Sequence, residues 1–138
     1  MPRRVVITGM GAVTSLGLGA DQLWQAVKNG SSGISSIERV EVSDMSVKVA
    51  SEIKNFDPCQ FIEKKEAKRM DRFAQYAVIS SQMALEKSGL DLTRTDMERV
   101  GVIIGSGIGG SNRGASPSFS AIGFRLHAQS AASISPTV

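Results

Sequence analysis

The sequence predicts an α/β fold, and three observations carry that expectation. The aliphatic run Val5-Val6-Ile7-Thr8 is closed by Gly9-Met10-Gly11, the pattern of a strand buried on both faces that ends in a tight turn. A long amphipathic segment follows later in the chain. A second aliphatic run, Val100 to Ile104, then meets glycines again in Gly105-Ser106-Gly107-Ile108-Gly109-Gly110.

Between these runs the elements are read in order. A helix is expected over Ala20 to Lys28, where Leu23, Trp24 and Val27 share one face and Asn29-Gly30 supplies the stop. Ser31 to Asn55 alternates Ser and Gly clusters with short segments such as Val47-Lys48-Val49-Ala50, and reads as loop plus an edge strand. Asp57-Pro58 pairs an N-cap with proline at the first helical position, which starts a short helix. The main helix is expected from about Lys68 to Lys87, with Met70, Phe73, Ala74, Ala77, Val78, Ser81 and Leu85 on one apolar stripe. Ser88-Gly89 ends it.

After Gly110 the composition changes. Arg113 and Arg125 are the only charged residues of the last 28, seven of which are serine. Ser111 to Val138 is therefore read as a serine-rich tail, disordered or produced by a shift of reading frame near Ser111, and residues 1–110 as the domain proper.

Charge and composition exclude several functions. The net charge of +3 is modest, and 5% aromatics give little for a nucleic-acid surface to stack on. One cysteine, Cys59, rules out an internal disulfide and a Cys-rich metal site, and fits a reducing cytoplasm. The apolar start is interrupted by Thr8, Gly9, Gly11, Thr14 and Ser15, unlike the core of a signal peptide. Without export the sequon Asn29-Gly30-Ser31 reads as a turn. No stretch has the length of a membrane span.

Of the chemical motifs, Gly105-x-Gly107-x-x-Gly110 after an expected strand formally satisfies the dinucleotide fingerprint. The helix that should open at its third glycine is poorly encoded by Ser111-Asn112-Arg113-Gly114. A dinucleotide-binding oxidoreductase domain stays open as the rival reading, with tight strand-end turns as the plainer account. Ser106 lacks the first glycine of a nucleophile elbow, since Ile104 stands there. Cys59 and His127 read as a passive, partly buried thiol and a tail residue. Lys64 to Arg72 holds five bases and two acids. By its physics alone this run is a solvated face of alternating charge. The other reading is that Lys65, Lys68 and Arg69, at i, i+3 and i+4, present one cationic patch to an acidic partner.

Three blocks taken together resemble one family. Arg4-Val5-Val6-Ile7-Thr8-Gly9-Met10-Gly11-Ala12-Val13, the run from Lys64 to Ala77, and Gly101 to Gly110 look like the β-ketoacyl-acyl-carrier-protein synthase II family, with likeness from about Arg3 to Gly110. The resemblance implies a thiolase-like α/β fold (layered α-β-α-β-α), with only part of its N-terminal half present, and a homodimer in the full-length family. It implies a condensing enzyme of fatty-acid synthesis that uses acyl- and malonyl-loaded acyl carrier protein and no cofactor or metal. It places Lys65, Lys68 and Arg69 at carrier-protein docking positions, which favours the functional reading of the basic run, and Ile108 in the wall of the acyl pocket. It also implies that the family's nucleophilic cysteine and two histidines come after the glycine block. Neither Cys59 nor His127 stands in for them, so no catalytic residue is assigned and the chain is expected to be inactive alone. A noncatalytic carrier-protein-binding fragment is the third reading.

Overall fold

The computed structural model describes residues 2–106, 124–126 and 134–136. Their elements are strands β1 (Val13–Thr14) and β2 (Gly17–Leu18), helix α1 (Ala20–Lys28), strands β3 (Ser35–Ser36) and β4 (Val49–Ala50), a 3-10 turn at Pro58–Gln60, helices α2 (Lys64–Ala67) and α3 (Arg72–Ser88), a second 3-10 turn at Met97–Arg99, and strands β5 (Phe124–Leu126) and β6 (Ile134–Pro136). Each ladder among these elements is two-stranded and antiparallel: β1 with β2, β3 with β4, β5 with β6.

The β1–β2 hairpin is held locally. Thr14 Oγ1 donates to the Gly17 carbonyl at 3.0 Å and accepts from the Leu16 N–H at 3.2 Å. Gly19 N–H then reaches back to the Ala12 carbonyl at 2.7 Å and turns the chain into α1. The bounds of α1 are those the sequence predicts, but its apolar face is not buried: Trp24 is 61% and Val27 53% exposed. An ion pair between Lys87 and Asp21 ties the end of α3 to the start of α1. In the loop region, β4 falls inside the expected edge strand. The Glu52 carboxylate accepts from the backbone N–H of Glu38 at 2.9 Å and of Arg39 at 3.4 Å, which closes that loop.

Three expectations are corrected. The first two concern the aliphatic runs Val5–Thr8 and Val100–Ile104, which form no continuous strands; Ile104 makes a single bridge. A parallel strand draws its hydrogen bonds from chain distant in sequence, so an aliphatic run alone does not make one. Both runs instead flank α3 across an apolar cleft of about 400 Å³ lined by Thr8, Gly9, Val78, Ala84, Leu85 and Ile104, among others. Third, the main helix starts at Arg72, because Lys68 to Asp71 break away and Asp71 takes an extended N-cap conformation. Gly89 ends it in the left-handed region, at φ 66°, where glycine carries no side-chain penalty.

The described core is small: Ile62, Ala67, Val78 and Ile79 are buried, with Val13, Phe56, Met70 and Met83 packed against them. Ile79 is fully buried, so the inner face of α3 runs through Gln75, Val78 and Ile79. That face is rotated from the stripe the sequence predicts, of which Val78 alone is buried.

Candidate functional site

The basic run lies on a corner between two helices, and its geometry follows from residue chemistry. The Asp57 carboxylate accepts from the Cys59 N–H at 2.9 Å and starts the 3-10 turn, as an Asx N-cap does. That turn delivers Ile62 into the core, and Glu63 then opens α2, whose Ala67 faces inward. With Ile62 and Ala67 pointing in, Lys64, Lys65, Lys68 and Arg69 point out and are exposed. Between Lys64 and Arg69 there are four bases and one acid. The described ion pairs use Lys54 with Glu38 and Lys87 with Asp21, and none involves Lys65, Lys68 or Arg69. All three predicted residues are exposed, Lys65 within α2 and Lys68 and Arg69 just past its end.

The corner is braced from below. The Gln75 side chain, 9% exposed, donates from Nε2 to the Ala67 carbonyl at 2.8 Å and to the Met70 carbonyl at 3.2 Å. Arg72, counted with the basic run in the sequence, is turned elsewhere. Its Nε donates to the Tyr76 hydroxyl at 2.8 Å, and its guanidinium lies 5.6 Å from the Phe56 ring centroid and 5.9 Å from that of Tyr76. Phe56 and Tyr76 themselves meet edge to face at 4.9 Å. Sequence reasoning assigned no role to Gln75 or Arg72. The i, i+4 spacing of Arg72 and Tyr76 was the available signal for one of them, whereas a polar residue in the buried phase of a helix gave none for the other.

The remaining candidates are placed as follows. Cys59, in the middle of the Pro58–Gln60 turn, is a free, exposed thiol and not the partly buried one expected. Ile108 and His127 lie outside the described residues, as do Gly107 and Gly110. For the dinucleotide reading, the strand that should precede the glycines does not form, which removes the context that motif requires. No group of three or more His, Cys, Asp or Glu able to hold a metal occurs among the described residues. No described helix is long and apolar enough to cross a membrane.

Comparison with known proteins places the chain in a family. A family model described as "Beta-ketoacyl synthase, N-terminal domain" matches residues 2–137. The chain belongs to the beta-ketoacyl synthase family. Among curated beta-ketoacyl synthases, it is 44% identical over 108 residues to 3-oxoacyl-[acyl-carrier-protein] synthase 2 of Synechocystis sp., a match that covers 78% of this chain and 26% of the relative. It is 45% identical over 108 residues to the protein of that name from Staphylococcus aureus strain COL, with the same coverage. The chain therefore spans about a quarter of the length of the curated relatives it matches. Among solved structures, the ishigamide ketosynthase/chain length factor superposes with a TM-score of 0.60 at 33% identity, over 66% of this chain and 23% of that one. The α/β, thiolase-like fold class expected from the sequence is thereby shown, and this chain is a partial, N-terminal segment of a beta-ketoacyl synthase.

Proposed function

We propose that this chain is a segment of a fatty-acid condensing enzyme, an acyltransferase that elongates acyl groups on acyl carrier protein with malonyl-carrier protein by decarboxylative Claisen condensation. In that reaction a cysteine thiolate displaces the carrier thiol and holds the acyl group as a thioester. Loss of CO2 from the malonyl unit leaves a carbanion, which attacks that thioester and releases the cysteine. The 138 residues contain one cysteine and one histidine, and the cysteine is exposed on a short turn. The segment's own share of the work is scaffold and carrier docking.

The single observation that carries the reading is the exposed corner of Lys65, Lys68 and Arg69, in a chain whose relatives are named for acyl carrier protein. Uncompensated charges on a fixed corner steer an acidic partner and set its register more than they add raw affinity. A noncatalytic carrier-binding role uses the same corner. Ile108 as a wall of the acyl pocket, a homodimer of the full-length enzyme and a cytoplasmic setting belong to the same proposal.

The boundary at Gly110 is likewise proposed. Curated relatives match over 108 of the 138 residues, whereas the family model runs on through residue 137. Translation of the DNA after the Gly110 codon in the other two frames tests it: a family-like continuation supports the frameshift, and its absence from both frames contradicts it.

The functional proposal is tested by a chimera. Residues 3–110 replace the corresponding segment of the Synechocystis enzyme, and condensation of acyl- with malonyl-carrier protein is assayed. Activity within about tenfold of the parent is expected. A folded chimera with no turnover contradicts the reading.

A further inference from the structure

We infer that Gln75 is a positioning residue for the docking corner: its carboxamide fixes how α2 meets α3 and so holds Lys65, Lys68 and Arg69 as one patch. The inference rests on the docking reading for its functional half. A helix end leaves its last carbonyls without partners inside the helix, and at the end of α2 the Ala67 carbonyl accepts from the Met70 N–H at 3.3 Å and, more closely, from Gln75 of the next helix at 2.8 Å. The same nitrogen reaches the Met70 carbonyl at 3.2 Å. Lys68 and Arg69 lie between those two anchored peptides, and Lys65 lies one turn earlier on a helix of only four residues. So short a helix has no internal stiffness to hold a geometry by itself. Gln75 is the one polar residue among the described residues that is buried, and both carbonyls would lose a donor if it were replaced by an apolar side chain.

Gln75→Met keeps the length of the side chain and removes both donors, while touching no charge. Holo acyl carrier protein is titrated into the 138-residue chain and into this variant at several salt concentrations. The expected result is about tenfold weaker binding at low salt and a shallower dependence of affinity on salt, because fewer cations engage at once. A variant merely less stable would bind more weakly without changing that salt slope. If the variant matches the parent in affinity and slope, while the charge-reversed chain (Lys65→Glu, Lys68→Glu, Arg69→Glu) has lost binding, the inference is overturned and the docking reading stands.

A second readout keeps the two apart. Spin labels are placed at Lys64→Cys and Gln82→Cys in a Cys59→Ser background, and the distance between them is measured with and without Gln75→Met. A narrow distribution that broadens in the variant supports the brace even if the parent binds no carrier, in which case only the docking reading fails. An unchanged distribution overturns the inference whatever the binding shows.

Discussion

A Cβ atom on Gly11 would stand 1.9 Å from the carbonyl oxygen of Ser80, so the turn after the first aliphatic run lies directly on the backbone of α3. Gly9 repeats the relationship one helical turn on, where a Cβ would stand 2.0 Å from the Ala84 carbonyl. Neither obstacle is a flexible side-chain tip, so any substituent must push the turn and the helix apart. Gly11→Ala is expected to destabilise the chain by about 1–3 kcal/mol, the usual cost of overpacking. Urea denaturation followed by circular dichroism measures it, and an unchanged midpoint contradicts this packing.

Ile79 is the only fully buried large side chain among the described residues. With so small a core there is little else to absorb its loss. Ile79→Ala is expected to cost about 2–5 kcal/mol, against less than about 0.5 kcal/mol for an exposed substitution such as Gln25→Ala. Equal losses at the two positions would place the core elsewhere.

This contrast also shows how much of the fold was legible. Local signals were read correctly: the bounds of α1, the Asp57-Pro58 start and the Gly89 stop all depend on residues within a few positions of each other. The break at Lys68 to Asp71 was missed because the basic run continues the helical pattern, although Asp71 is itself a cap-forming type. The failed strands were missed for the opposite reason, since an aliphatic run states a preference but not the partner that completes it. For the site, the exposure of the three cations could be read from sequence, although the helix ends at Ala67 before two of them, whereas the buried amide beneath them follows from the tertiary corner alone.

The unpaired runs have a consequence in solution. Val5 is 92%, Ile7 82% and Ile103 97% exposed, a concentration of apolar surface that promotes self-association. The chain alone is expected to bind a hydrophobic dye and to self-associate increasingly as its concentration rises, and Ile7→Lys with Ile103→Lys should reduce both. A monodisperse, dye-silent parent chain contradicts the exposure described.

Asp91 gives a prediction in pH. The Thr93 hydroxyl, donating at 2.6 Å, and then the Thr93 N–H, at 2.9 Å, hold the Asp91 carboxyl below its ordinary value. A carboxyl whose pKa is lowered in the folded state contributes stability above its unfolded pKa, near 4, and that contribution is lost as pH falls through the lower folded value. Thr93→Val removes the larger cause and should move the Asp91 titration part of the way up. Carbon-13 titration of the carboxyl by NMR reads it, and an unmoved midpoint contradicts the contact.

The most direct test of the account is the affinity of holo acyl carrier protein for the 138-residue chain before and after charge reversal at Lys65, Lys68 and Arg69, measured by calorimetry at low salt. The account predicts binding by the parent that weakens as salt rises, and at least a hundredfold loss in the reversed chain. Equal affinities in the two, or no binding by a folded parent chain, would contradict it.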